Sequence, residues 1–234
     1  MKISVALAAY NGEKYIAEQI ESILSCLREG DELIVSDDNP RGKTKDAVSA
    51  FSDSRIHYIE GPGLGVCKNF ENALSHCSGD VIFLSDQDDV WLPGKTGKAI
   101  EAFEQGADLI LHNARITDSN LNDSGQTAFD LYRPSADYAK NLLRNGFVGC
   151  CMAFSRKVLS SVIPFPGDIP MHDWWIAQVC LKKGFKVSLI EEPLLLWRRH
   201  GETVTGRATS LKEKIRFRIK MIGCLKTVCH GKDQ

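Results

Sequence analysis

The chain has no apolar run approaching the roughly 20 residues that a membrane-spanning helix needs, so no such helix is expected. Its start, Met1-Lys2 running directly into the strand-like Ile3-Ser4-Val5-Ala6-Leu7, lacks the layout of a signal peptide. A cytoplasmic protein is therefore expected. Net charge is also nearly absent: 29 Lys and Arg against 30 Asp and Glu give −1. That leaves no global basic field for a nucleic-acid partner. The eight cysteines contain no CxxC pair, and a chain of 234 residues needs no disulfide staples. Most of them lie in apolar stretches and read as reduced and buried. No internal repeat and no long linker interrupts the chain. No Gly-rich triphosphate loop with Arg and Lys stands near the N-terminus, which argues against a nucleotidyltransferase.

What is present is an ordinary globular composition, 43% hydrophobic and 25% charged, enough for one domain with a sizeable core. The first half alternates in type. Ile3 to Ala9 is a short apolar run, and Tyr15, Ile16, Ile20, Ile23, Leu24 and Leu27 recur at helical spacing within residues 11–27. Strands are predicted at Glu32–Val35, Arg55–Ile59 and Asp80–Leu84, with helices at Thr44–Phe51 and Val66–Cys77. This order implies a largely parallel sheet with helical crossovers. The second half is less regular. A strand is predicted at Asp108–His112, and residues 113–137 are polar and turn-prone and read as a loop or lid. An apolar Phe147–Phe154, a short helix Ser155–Val162, a helix Asp173–Lys183, and two strands, Lys186–Ile190 and Leu194–Trp197, follow. From Ser210 the chain is basic and helical.

The most informative segment is Phe83-Leu84-Ser85-Asp86-Gln87-Asp88-Asp89-Val90-Trp91. Three carboxylates fall within four residues, directly after the most apolar strand. In open parallel sheets that end of the strand faces the ligand crevice, and like charges crowded there call for a cation or a proton. Mn²⁺ or Mg²⁺, held by one or two carboxylates and by phosphate oxygens, fits; a solvated acidic turn that caps the next helix is the alternative. Polar groups also follow the first strand, Ala8-Ala9-Tyr10-Asn11-Gly12, and the second, Asp37-Asp38-Asn39.

These segments, with Gly65-Val66-Cys67-Lys68-Asn69-Phe70, His172-Asp173-Trp174-Trp175 and Arg198-Arg199-His200-Gly201, resemble a family 2 glycosyltransferase of the type-A fold. The order and spacing of the motifs, over roughly residues 1–205, carry the resemblance. It implies an α/β protein with a single, mostly parallel central sheet flanked by helices. A catalytic domain over 1–205 would be followed by a basic helix over 206–234.

The resemblance also implies roles. Asp86-Gln87-Asp88 would supply the metal and ribose contacts, with Asp86 and Gln87 toward the nucleotide sugar and Asp88 on the metal. Ala9, Tyr10 and Glu13 would line the nucleotide pocket, Asp38 would hydrogen-bond the base, and Lys68 would lie near it. Asn39-Pro40-Arg41-Gly42 departs from the Gly-Ser-x-Asp of many relatives, which puts base selectivity in question. Asp173 is the candidate general base, although relatives commonly carry Glu-Asp where this chain has His172-Asp173. One of Trp174 and Trp175 would meet the acceptor sugar. His200 would reach the metal, and Arg198 and Arg199 the diphosphate. The activity implied is inverting, metal-dependent transfer from a UDP- or dTDP-sugar to a hydroxyl of a glycan or lipid-linked glycan, of the rhamnosyltransferase-like, surface-polysaccharide type. A polyprenyl-phosphate glycosyltransferase and a non-catalytic nucleotide-sugar-binding module are the competing readings.

Leu211, Ile215, Ile219 and Ile222 recur at helical spacing among Lys212, Lys214, Arg216, Arg218 and Lys220. Such a basic amphipathic helix suits an anionic membrane surface, and the inner face of the cell membrane is the expected place. A helix packed on the domain with a solvated basic face is the alternative.

Overall fold

The structure, a computed structural model, describes residues 1–167, 169–201 and 210–228. The expected domain boundary at 205/206 lies outside these residues, as do Arg207, Cys229 and Lys232. Four strands form the first half of one sheet: β1 (Ile3–Ala9), β2 (Glu32–Asp37), β3 (Ile56–Glu60) and β4 (Val81–Asp86). They lie in the order β3-β2-β1-β4, all parallel. β1, β2 and β4 are buried almost throughout, which explains why they read as unbroken apolar runs rather than as alternating ones.

The crossovers are α1 (Ile16–Cys26), α2 (Thr44–Ser49) and α3 (Val66–His76). α1 buries Ile16, Ile20 and Ile23, one face at helical spacing. It starts later than its apolar pattern suggests, because Asn11 takes a left-handed φ of 51° and a turn closes from the Gly12 carbonyl to the Tyr15 and Ile16 amides.

The second half holds β5 (Val90–Trp91), α4 (Lys95–Glu104), β6 (Leu109–Thr117), β7 (Asp123–Thr127), α5 (Ala128–Tyr132), α6 (Tyr138–Leu143), β8 (Met152–Ser155), α7 (Arg156–Val162), α8 (His172–Lys183), β9 (Val187–Arg198) and α9 (Leu211–Leu225). The sheet continues from β4 as β8-β6-β9-β5, and β7 pairs with β6. β8, β5 and β7 run against their neighbours, while β6 and β9 are parallel to each other. The result is a mixed sheet flanked by helices, with six strands sharing one direction.

Two expectations change. Residues 113–137 are not a loop: β6 runs on to Thr117, β7 forms an exposed edge strand, and α5 opens with a Thr127–Asp130 capping box. Their polarity reflects an edge in water. The two predicted strands near 186–197 are one, β9. Its register against β6 jumps from His112–Ile190 to Asn113–Pro193, so Glu191 and Glu192 bulge out where the proline lacks a ladder donor. Seven of the eight cysteines are described, and all seven are free; Cys77, Cys150, Cys151 and Cys180 are buried. Among the described residues no helix is long and apolar enough to cross a membrane.

Asn69, buried on α3, ties the crossover to the sheet edge. Its amide donates to the carbonyls of Ala9 (3.0 Å) and Ser36 (2.9 Å), and its oxygen accepts from the Ser36 hydroxyl (2.6 Å). Asn69→Ala should cost roughly 1–3 kcal/mol by removing three hydrogen bonds from a buried position, measured by urea unfolding. A loss below a few tenths would mean that the knot contributes nothing.

Candidate functional site

The shared direction of β1, β2, β4, β6 and β9 puts their carboxyl ends at one sheet edge. There a cleft of about 700 Å³ opens. Ala9 and Tyr10 enter it from the end of β1, Asp38 from β2, and Asp86, Gln87 and Asp88 from β4. Arg198 and His200 come from β9, and His172 and Asp173 from the start of α8. Segments up to 190 residues apart therefore meet through topology alone.

Hydrogen bonds fix the wall formed by the ends of β1 and β2. The Gln87 side-chain amide pairs with the backbone of Tyr10, accepting from its N–H (2.8 Å) and donating to its carbonyl (3.1 Å). A Cβ at Gly12 would fall 2.2 Å from Gln87 Oε1, so a glycine there admits the clamp. The Asp38 carboxylate accepts from the backbone N–H groups of Gly63 and Gly65, each at 2.7 Å, and holds the turn that carries the exposed Leu64. Gly63 and Gly65 have φ values of 69° and 88°, where glycine is the least strained residue. Tyr10 stands at the rim, 60% exposed.

The acidic segment is held from several sides. Asp88 Oδ2 lies 2.8 Å from His200 Nε2, and the imidazole packs beside Tyr15 with ring centroids 5.0 Å apart. Asp89 is buried and accepts the Arg198 backbone N–H (3.0 Å) through one oxygen, while its Oδ2 has no partner. The Arg198 guanidinium donates to the carbonyls of Asp88 and Ser119 (2.7 Å each), pairs with Glu18 and lies 4.6 Å over the Tyr15 ring. Behind them the fully buried Lys95 donates to the Cys150 carbonyl (3.0 Å) and faces the Trp91 ring at 4.1 Å.

The charges respond to this crowding. Burial, then Asp88 and Asp173, push the Asp86 carboxyl up to about 7. Burial, then Asp88 and Asp86, raise Asp89 well above the usual carboxylate range. Burial lowers Lys95 to about 8. Asp173 is pushed up to about 7 by burial, against opposing hydrogen bonds from the Trp174 and Gly149 backbone and the Asn145 side chain. Burial also holds His172 neutral, near 3, stacked on Phe70 at 3.9 Å.

Ligand atoms of Asp86, Asp89 and Cys150 lie within 4.8 Å of one another. The Cys150 thiol is held protonated by its hydrogen bond with the Cys151 thiol, by burial and by these acids, so it is a poor donor for a hard cation. The carboxylates that face the cleft, Asp86 and Asp88, with His200 beside them, suit Mn²⁺ or Mg²⁺. The spacing of the three acids was legible in the sequence. The approach of Cys150 and Lys95 was not, because it depends on the β4–β8 pairing and on the placement of α4, for which no helix was predicted.

Several candidates lie elsewhere. Glu13 is exposed outside the cleft lining. Lys68 pairs with Glu71 at 2.5 Å and approaches the Phe165 carbonyl. Trp174 and Trp175 are both buried, their indole N–H groups donating to the carbonyls of Asn141 (3.2 Å) and Val162 (2.9 Å). The Arg199 guanidinium lies over the Trp197 ring at 4.7 Å. Arg198 lines the cleft, but its guanidinium bonds are spent on the protein itself.

The model of the family "Glycosyl transferase family 2" matches residues 4–163. The chain is 27% identical to an uncharacterized glycosyltransferase of Nostoc sp. over 213 residues, covering 86% of this chain and 66% of that protein. It is 25% identical to the dTDP-rhamnosyl transferase RfbG of Shigella flexneri over 255 residues, covering 97% and 81%. It thus spans about two thirds of the first relative's length. Among solved structures, residues 1–349 of TarS from S. aureus, in complex with UDP-GlcNAc, superpose with a TM-score of 0.71 at 17% identity, covering 99% of this chain and 68% of that one. The mannosyltransferase PcManGT of Pyrobaculum calidifontis, with GDP-Man and Mn²⁺, gives 0.64 at 20% identity, covering 96% and 61%.

The raised carboxyls have a sign that stability reports. An unfolded aspartate titrates near ~3.9, so between about 4 and 7 the native Asp173 binds a proton that the unfolded chain does not. Stability from this group falls as pH rises across that window and levels above it. The buried neutral His172 works in the opposite sense, but only up to about 6.5. In EDTA, the melting temperature of the wild type should therefore drop relative to Asp173→Asn, which cannot ionise but shares His172, as pH rises from about 5 to 7, and the two profiles should run parallel above that. Profiles parallel throughout would place the Asp173 carboxyl in an ordinary environment.

Proposed function

The chain belongs to glycosyl transferase family 2, and from that premise we propose that it transfers a sugar from a UDP- or dTDP-linked donor to a hydroxyl of a glycan or lipid-linked glycan, with inversion, in surface-polysaccharide synthesis. That it is a glycosyltransferase follows from the family and its relatives. The observation that carries the finer reading is the convergence of Asp86, Asp88, His200 and Asp173 on one cleft at the strand ends. The working place proposed is the cytoplasmic side of the cell membrane, with the protein held peripherally.

In this reading Asp88 and His200 hold Mn²⁺ or Mg²⁺, with Asp86 beside them toward the ribose. When bound, the cation would neutralise the charge that develops on the departing nucleoside diphosphate. The chain's own part is to orient and to move a proton. The Gln87 clamp and the Asp38-held turn keep the Tyr10 and Gly63–Gly65 backbone in place beside the base. Asp173 takes the acceptor hydroxyl's proton as its oxygen attacks the anomeric carbon from the face opposite the leaving group. A base titrating near 7 suits this task at neutral pH, and the rate should rise with pH through that value.

Release of UDP or dTDP from a panel of nucleotide sugars in Mn²⁺, with and without EDTA, tests the reading. Turnover that stops with EDTA is expected. No turnover with any donor, or turnover indifferent to EDTA, would overturn it. Asp88→Ala should lower the rate on the order of 100-fold or more and remove Mn²⁺-dependent donor binding in calorimetry. Asp173→Asn should lose about 10²–10⁴-fold in transfer while still binding donor; wild-type turnover by that variant would remove Asp173 from the base role.

A further inference from the structure

α9 has two apolar faces. One is docked: Met221 and Leu225 are buried, Phe217 packs against the core, and Lys182 Nζ donates to the Leu225 carbonyl. The other is open. Leu211, Ile215, Ile219 and Ile222 are all exposed, Leu211 by 75% and Ile219 by 65%. At about 100° per residue these four share an arc about 80° wide. Lys212 and Arg216 flank the arc on one side and Lys214 and Arg218 on the other; Glu213 is the helix's sole acid. Four large aliphatic side chains aligned in water call for a cover, and a rim of lysine and arginine makes that cover anionic. A second copy of the helix fits poorly, because it would bring two cationic rims together.

The position of this face gives it a purpose. The Arg218 guanidinium donates to the carbonyl of Leu143, the last residue of α6, whose side chain is itself 65% exposed. Two residues on, Asn145 braces the Phe147 backbone through both atoms of its side-chain amide, in the segment that leads to Gly149 at the cleft. The Asn141 carbonyl of α6 accepts the Trp174 indole N–H next to Asp173. The open stripe is thus joined through one short segment to the end of the cleft that holds the proposed base.

We propose that the outer face of α9, with Leu143 beside it, docks on an anionic lipid leaflet and seats the acceptor end of the cleft against that leaflet. This deepens the membrane placement proposed above by naming the surface, the lipid charge and the orientation.

The test is flotation of the full chain, without donor, on vesicles of phosphatidylcholine alone or mixed with phosphatidylglycerol. Binding is expected only with phosphatidylglycerol, weakening as salt rises. The combined variant Ile215→Ser, Ile219→Ser, Ile222→Ser should lose at least about tenfold in bound fraction, and so should Lys212→Glu with Arg216→Glu. These side chains face solvent, so both variants should keep the wild-type melting temperature and the wild-type rate of nucleotide release in Mn²⁺. If the serine variant melts early, the charge variant decides. Failure of the wild type to float, or floating unchanged in the variants, would overturn the proposal. So would a concentration-dependent dimer in sedimentation that the serine substitutions abolish without any lipid binding, which would give the stripe to a second copy. Because no donor enters the flotation assay, its failure and a failure of the transfer reading are separable.

Discussion

Three aspartates within four residues, at the exit of a buried strand, repel one another in surroundings that water barely screens. The structure answers this repulsion differently at each position. Asp88 has an imidazole at 2.8 Å. Asp89 has a backbone N–H and, deeper, the field of Lys95. Asp86 faces the cleft, and its carboxyl is left to hold a proton near neutrality. A cation in the cleft would release that proton and stabilise all three acids together. The protein therefore leaves a demand for positive charge unmet where Asp86 and Asp88 face the cleft.

Meeting that demand depends on β9. If the sheet had ended at β4, the acidic segment would face solvent with no countercharge. β9 lies parallel to β6 and ends at the same edge. Its last residue, Arg198, threads its guanidinium under the segment, and His200 follows onto Asp88. β5 then pairs Val90–Trp91 back onto Leu195–Leu196, which locks the aspartates between two anchored strands. The bulge at Glu191 and Glu192 lets one long strand serve both the β6 ladder and this return.

Much of this was readable in the sequence, and the unreadable part has a common cause. β1, β2 and β4 announce themselves because burial on both faces demands unbroken apolar runs. The Asp86-Gln87-Asp88-Asp89 cluster announces itself because its charge density is costly without a ligand. β7 did not, since an exposed edge strand tolerates Asp, Ser, Gly and Gln. α8 gives almost no amphipathic signal because it is buried on nearly every side, so nothing in Trp174-Trp175 told that both indoles point into the core. The pattern of residues reports how much of a side chain is buried. It does not report which partner a buried polar group finds: Gln87, Asp38 and Arg198, read as ligand contacts, all line the cleft, and the fold also uses each as a brace.

The two ends of the cleft are built on different principles. The Tyr10 side is backbone held by side chains: Tyr10 by Gln87, Gly63 and Gly65 by Asp38, and the ends of β1 and β2 by Asn69. Such a wall tolerates little change, because each brace ties backbone that comes from a different strand or turn. The Asp173 side is a chain of short elements, α6, the Asn145–Gly149 segment and the first turn of α8, and it runs outward to α9. The segment that carries Asp173 is therefore continuous with the basic helix: α6 touches Trp174 at one end and Arg218 of α9 at the other, so a change in the seat of α9 is felt next to the Asp173 end of the cleft.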